Sequence, residues 1–415
     1  MKKFKIILKI IIFCCIYVGV QALVKYALVD DTKTISRVML YDLYTEEENI
    51  DVLFCGASHC QLGIDPRVMD QGFGKNTFNA GSSSQGLETS LALIKEAERY
   101  HDLEQVYIDL DYSIVLRDTP NLESIYIISD YMKPSPRKVD YLLNATSFEY
   151  YVNSFMPLHK GRGYLKNPEK ILENLKAKST AGYREYTDRD ASYAGKGHIA
   201  SETVVEEGSL WSSGDIAEKD FRIPEMQKEY LLEIIMFCEK KDIQLTFVSV
   251  PTTDFHLAFI PNYDEYVEEV RNFLAEYDVA YYDFNLCNQE ILELGSDALY
   301  NDDNHLNTEG AKHFSKVFAD FFTGKIGEEE LFYSSYEQKL KESAPRVLGL
   351  QIKEKKAENA EKSEETLGIV VMPVTSHEDM QVEYALEYVA EEYLITASVD
   401  GIVTNKVKIK DEDLK

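Results

Sequence analysis

The chain has 415 residues, a hydrophobic fraction of 45% and a formal charge of −28 at neutral pH. That length and composition suit one large globular domain with a smaller companion, and the acidic balance argues against gripping a phosphate backbone, so no nucleic-acid partner is expected. Six cysteines without a Cys-x-x-Cys spacing suggest neither a disulfide scaffold nor a zinc site, and no metal or other cofactor is expected.

Lys2, Lys3, Lys5 and Lys9 precede an apolar stretch at 10–20 that stays apolar to Val24. As a helix, residues 6–24 rise about 28 Å, one hydrocarbon core. Lysines before the span and Asp30-Asp31 after it put the N-terminus in the cytoplasm and the main body outside. A cleaved signal peptide processed near Val20-Gln21-Ala22 is the rival reading. The length of the span favours a single-pass cell-membrane anchor over residues 1–29.

Residues 30–342 read as an α/β domain. The run 51–55 is a short apolar strand ended by the small-residue turn Gly56-Ala57-Ser58-His59. A second short strand, 77–80, ends at Gly81 and the Ser82–Ser84 run, which reads as loop hydrogen-bonders together with Asn79. An amphipathic helix over 85–100 and a strand over 105–110 follow. Strands separated by helices indicate a parallel, helix-covered sheet. Residues 111–220 break this rhythm with a Tyr-, Ser- and Asn-rich insertion, expected over the active face, with basic spots at Lys160-Gly161-Arg162 and Arg184 and the sole tryptophan, Trp211. Its aromatics suit an ordinary insertion core or a sugar-stacking surface. The α/β pattern resumes with a helix after Pro224, a strand at 244–250, a helix at 263–277, a strand at 279–284 and a helix at 308–322 capped by Asn307 or Thr308.

Residues 343–366 form a charged linker, dominated by Lys, Glu and Ala at 353–365. Beyond it, 367–415 alternate apolar and polar residues in about four strands, with Asp400-Gly401 as a hairpin signal. This small β module reads as a structural or partner-docking appendage.

The chemistry gathers at strand ends. A serine hydroxyl needs a base within hydrogen-bond reach and a third group to orient that base. Ser58 leaves the first strand at the sheet's C-terminal rim, where α/β proteins place ligands. The loop Asp302-Asp303-Asn304-His305-Leu306-Asn307 offers an imidazole and an acid three residues apart. The expected site is therefore Ser58 as nucleophile, His305 as base and Asp302 as orienting acid. Backbone N–H groups of Ser58 and Gly81 are the expected oxyanion donors. His59 reads as a structural or substrate-contacting residue, Cys60 as partly exposed, and His256 as a residue near a strand end that can face the site.

Gly56-x-Ser58-His59, Gly81 after the second strand, and Asp302-x-Asn304-His305-Leu306-Asn307-x-x-Gly310-Ala311 resemble the first, second and last blocks of the SGNH (GDSL-like) hydrolase superfamily. With the N-terminal span they are similar to its membrane-tethered branch, which includes the DltD-like and alginate-acetylation-type proteins. The resemblance covers about residues 45–325, and its spacing implies Asp302 over Asp303 as the orienting acid. It implies a three-layer flavodoxin-like fold, and metal-free esterase or O-acyltransferase chemistry on a cell-surface polysaccharide or teichoic-acid-like polymer. It also implies a multi-span membrane acyltransferase as a partner. The alternative it leaves is a non-catalytic accessory protein on the same scaffold. One departure stands out. Where the family supplies an oxyanion-hole Asn after the third strand, this chain reads Ile108-Asp109-Leu110-Asp111-Tyr112, so Tyr112, an insertion residue or backbone donors alone must serve.

Overall fold

A computed structural model describes residues 2–156, 162–214, 221–354 and 368–414. Lys160, Gly161 and most of the charged stretch, 355–367, lie outside the described residues. In chain order the strands are β1 (Val52–Cys55), β2 (Thr77–Asn79), β3 (Gln105–Asp109), the short β4 (Tyr193–Gly195), β5 (His198–Ile199) and β6 (Trp211–Ser212), then β7 (Gln244–Ser249) and β8 (Ala280–Asp283). The C-terminal strands are β9 (Val347–Glu354), β10 (Ile369–Thr375), β11 (Glu383–Val389), β12 (Glu392–Val399) and β13 (Ile402–Lys410).

Alternating side chains of β1 enter two different cores. Leu53 and Cys55 join one and Val52 and Phe54 the other, as an interior parallel strand requires. The sheet runs β2-β1-β3-β7-β8 with every neighbouring pair parallel. With the insertion strands set aside, this is the order of flavodoxin-type doubly wound sheets. Helices Ile35–Thr45, Leu87–Ala97, Glu225–Lys241 and Tyr263–Ala275 cover one face through Leu40, Ile94, Ile234 and Val270. Helices Pro66–Phe73 and Thr308–Phe322 cover the other, where Tyr107 stacks on Phe54 at 5.3 Å and meets Phe318 edge-on at 5.0 Å. The fold is thus mixed α/β, with a parallel sheet between helical layers.

Helix Leu87–Ala97 is buried nearly all round, where its pattern suggested a half-exposed face. The reason is the insertion, whose helix Pro136–Ala145 packs on its outer side. Much of the insertion therefore lies beside the sheet instead of over the active rim. Its first residues, Asp111 and Tyr112, stay at that rim, and its return leg comes back to it: Asn79 N–H donates to Lys196 O at 3.0 Å, and Thr308 N–H donates to Ser201 O at 2.9 Å.

The N-terminal helix, Lys2–Leu28, has a mean hydropathy of 2.4 over its most apolar window, none of it buried. It is long and apolar enough to cross a membrane or to act as a signal sequence. At the other end of the chain the expected linker begins too early. Residues 347–354 form β9, which pairs antiparallel with β10 and parallel with Trp211–Ser212. Leu350 and Ile352 bury with Ile395 and Val407, so β9 belongs to the β module's core. Asp400 and Gly401 both take positive φ between β12 and β13, as the hairpin signal requires.

Candidate active site

The topology reverses between β1 and β3, and their C-terminal ends define a crevice. Gly56 is needed there: a Cβ would sit 2.6 Å from that of Asp109 and 2.8 Å from that of Cys60. The close approach lets the chain turn straight into helix Ser58–Gly63, with Ser58 at its first position.

The loop after β8 brings the second half of the site. Asn307 caps helix Thr308–Phe322 through the N–H groups of Glu309 and Gly310, both at 3.1 Å, while its amide donates to Ala298 O and Thr203 O. Asn301 N–H donates to His305 O at 2.7 Å and closes the loop. His305 Nε2 lies 2.7 Å from Ser58 Oγ. Its Nδ1 lies 3.0 Å from each carboxylate oxygen of Asp302. Asp302 also accepts from the N–H groups of Asn304 at 3.0 Å and His305 at 2.8 Å. Burial works against its charge, but the His305 ring and these N–H groups hold Asp302 well below the usual carboxylate range. Ser58, His305 and Asp302 thus meet in one hydrogen-bonded line. Asp303 is turned aside: its carboxylate faces His256 Nδ1 at 3.3 Å.

The expected Gly81 donor is corrected by the structure. Gly81 N–H donates to Asn79 Oδ1 at 2.9 Å, and a Cβ at Gly81 would meet Gln61 N, also at 2.9 Å. The glycine is there for chain packing, and its N–H is already engaged. Asn79 in turn donates to Cys60 O at 2.7 Å and Ile64 O at 2.9 Å, so it braces the helix that begins at Ser58. Ser82 is a loop hydrogen-bonder, its hydroxyl donating to Gln85 at 2.7 Å. Cys60 is fully buried instead of partly exposed, and burial pushes its thiol well up. Ser58 N–H lies in a first helical turn, where N–H groups have no intrahelical acceptor.

A pair that sequence reasoning missed sits against this line. His59 Nδ1 lies 2.8 Å from Asp111 Oδ2, with side chains 7% and 6% exposed. The His59 ring meets that of His305 edge-on at 4.8 Å. Burial alone would strip the His59 proton, but Asp111, with Asp109 and Asp302 behind it, overrides burial and pushes the pKa up to about 9. Burial likewise opposes charge on Asp111, yet His59 and the Ser113 hydroxyl hold its carboxyl far below the usual range. Beneath them, burial pushes Asp109 up to about 7; it accepts from Val250 N–H at 2.9 Å. The available signal was a His beside the nucleophile and two Asp residues, two apart, at the end of the next strand. Same-parity residues of a strand share a face.

A cavity of about 10 Å³, room for about one water, lies among His59, Asp111, Tyr112 and His256. A larger cleft of about 810 Å³ lies at the N-terminal ends of β7 and β8, away from Ser58. Among the described residues no cluster of His, Cys, Asp or Glu is arranged to hold a metal ion.

No family model matches the chain, and no curated protein matches it. A solved structure provisionally described as a platelet activating factor from Streptococcus pneumonia aligns over 73% of this chain and 97% of its own, at 12% identity and a TM-score of 0.30. A likeness at that score carries no argument, and the functional reading rests on this chain's own geometry.

Proposed function

We propose that this chain is a membrane-anchored, extracytoplasmic serine enzyme of the SGNH type. It performs O-acyl transfer or ester hydrolysis on a cell-surface polysaccharide or teichoic-acid-like polymer. The observation that carries the reading is the 2.7 Å contact of Ser58 Oγ with His305 Nε2, with Asp302 on the opposite ring nitrogen. Ser58 Oγ attacks an ester carbonyl as His305 takes its proton, and Asp302 holds the tautomer and stabilises the imidazolium. Collapse of the tetrahedral intermediate expels an alcohol, which regains the proton from His305, and leaves an acyl-serine. Water or a polymer hydroxyl then attacks, with His305 again as base. The polymer and a multi-span membrane acyltransferase partner follow from the motif resemblance together with the apolar N-terminal helix.

The oxyanion donors bear on a second reading. With Gly81 N–H engaged and no Asn in the stretch 108–112, the Ser58 N–H remains of the donors foreseen. That favours a non-catalytic scaffold that docks a membrane acyltransferase. Pairing with His59 counters this, because it balances the Asp111 charge that would oppose a developing oxyanion. The full-length chain in detergent separates the two readings through p-nitrophenyl acetate hydrolysis and mass-spectrometric detection of a fluorophosphonate adduct. Ser58→Ala should lower turnover by at least about 10³-fold and abolish the adduct. Equal rates, with no label on Ser58, remove the enzyme.

A further inference from the structure

The last carbonyls of a helix have no partners within it and must find donors elsewhere. At the end of helix Lys2–Leu28 the donors come from the insertion. Asn174 Nδ2 donates to Ala27 O at 2.9 Å and Val29 O at 2.7 Å. Lys178 Nζ donates to Tyr26 O at 3.0 Å and pairs with Asp31 at 2.8 Å, its side chain 1% exposed. Tyr26 returns its hydroxyl to Lys178 O at 3.1 Å. The insertion helix Pro168–Lys178 is therefore latched to the point where the apolar helix ends.

The chain leading up to this latch exposes large apolar side chains. Phe148 is 85% exposed, Leu172 68%, Leu165 55%, Val152 45% and Phe155 39%. Phe148, Val152 and Phe155 are spaced four and three apart, one helical face, and edge-on ring contacts run from Phe148 to Tyr151 to Phe155. Single exposed apolar residues need no explanation, but a concentration in the stretch of chain that leads into the latch of the apolar N-terminal helix does. Charge adds to the case. Residues 162–184 carry six Lys or Arg against two Asp or Glu, within a chain of net charge −28. Arg162, Lys166, Lys170 and Lys176 are exposed.

We infer that residues 148–156 and 162–178 form a lipid-facing platform in the outer interfacial layer of the membrane, beside the N-terminal helix. Phe148, Val152, Phe155, Leu165 and Leu172 enter the acyl boundary, and the neighbouring lysines and arginines meet anionic headgroups. This rests on the reading of helix Lys2–Leu28 as a retained anchor. The latch and the platform together hold the sheet at a set height over the bilayer, which suits an acyl donor delivered at the membrane surface.

The test places single tryptophans in the full-length chain carrying Trp211→Phe: Phe148→Trp, Leu172→Trp, and Val18→Trp within the N-terminal helix. Each chain is reconstituted in phosphatidylcholine–phosphatidylglycerol vesicles whose phosphatidylcholine is brominated on its acyl chains. All three new tryptophans should be quenched at least about twofold more than Trp211 in the native chain. Quenching at 18 with none beyond the Trp211 level at 148 and 172 overturns the platform and leaves the anchor standing. Absence of quenching at 18 removes the anchor, and the platform with it.

Discussion

The His59–Asp111 pair yields the sharpest quantitative expectation. His59 has a pKa of about 9 in the folded chain and about 6.5 when unfolded. That difference of about 2.5 units is worth about 3 kcal/mol. With the two side chains only 7% and 6% exposed, solvent screens little of it. The pKa is raised by folding, so this stability is fully present below about pH 6.5, falls by up to about 1.4 kcal/mol per pH unit, and is gone above about pH 9. Asp111 works in the opposite direction. Its depressed carboxyl stabilises the fold above about pH 4, and that contribution is lost in acid. Unfolding free energies of the full-length chain in detergent, from urea titrations followed by Trp211 fluorescence between about pH 6 and pH 10, measure the slope. His59→Gln should flatten it across the window from about 6.5 to about 9, and Asp111→Asn should flatten or reverse it, because burial then disfavours the His59 proton. Parallel slopes in all three chains would refute the argument that His59 is held protonated beside Ser58. The pair also links stability to turnover. His59→Gln strands the Asp111 carboxylate next to the nucleophile, so adding Asp111→Asn should recover part of the activity lost.

Three further outcomes follow from individual contacts. Asp302→Asn should lower kcat/KM for an acetyl ester by about 10³–10⁴-fold, because the ring loses its orienting carboxylate; Asp303→Asn, whose carboxylate faces His256, should stay within about tenfold. Gly197 has φ +81, and a Cβ there would lie 1.7 Å from Asn79 O, so Gly197→Ala should cost about 2–3 kcal/mol in thermal unfolding and lower activity through the Asn79 brace. Lys339 is buried against Asp254 at 2.7 Å, and Lys339→Met should cost about 1–3 kcal/mol by removing one of that carboxylate's two cationic partners, Arg346 being the other, read by urea denaturation.

What was legible in the sequence, and what was not, divides along physical lines. The central strands were readable because each is buried on both faces and is mostly apolar, as 52–55 and the Leu245, Phe247, Val248 and Val250 positions of 244–250 are. The Ser58 and Asp302/His305 loops were readable because glycine turns and helix caps are local signals, and because a parallel sheet gathers all its strand ends on one rim. Residues 347–354 were misjudged for the converse reason. The charges from Lys353 onward drew the boundary forward, and β9 is recognised as a strand only through partners at 211–212 and 369–375.

The oxyanion donors show the same division at the scale of single atoms. A glycine after a strand announces close approach, but not what approaches. At Gly81 the register of β1 on β2, Phe54 opposite Asn79, puts the Asn79 carboxamide in reach of both the Gly81 N–H and the Cys60 and Ile64 carbonyls. A carboxamide in that position satisfies the Gly81 N–H and two carbonyls of the turn that carries Ser58, and a buried backbone group left unpaired costs about 1–3 kcal/mol. The N–H that motif reading reserves for substrate is therefore committed to holding the nucleophile's own helix in place.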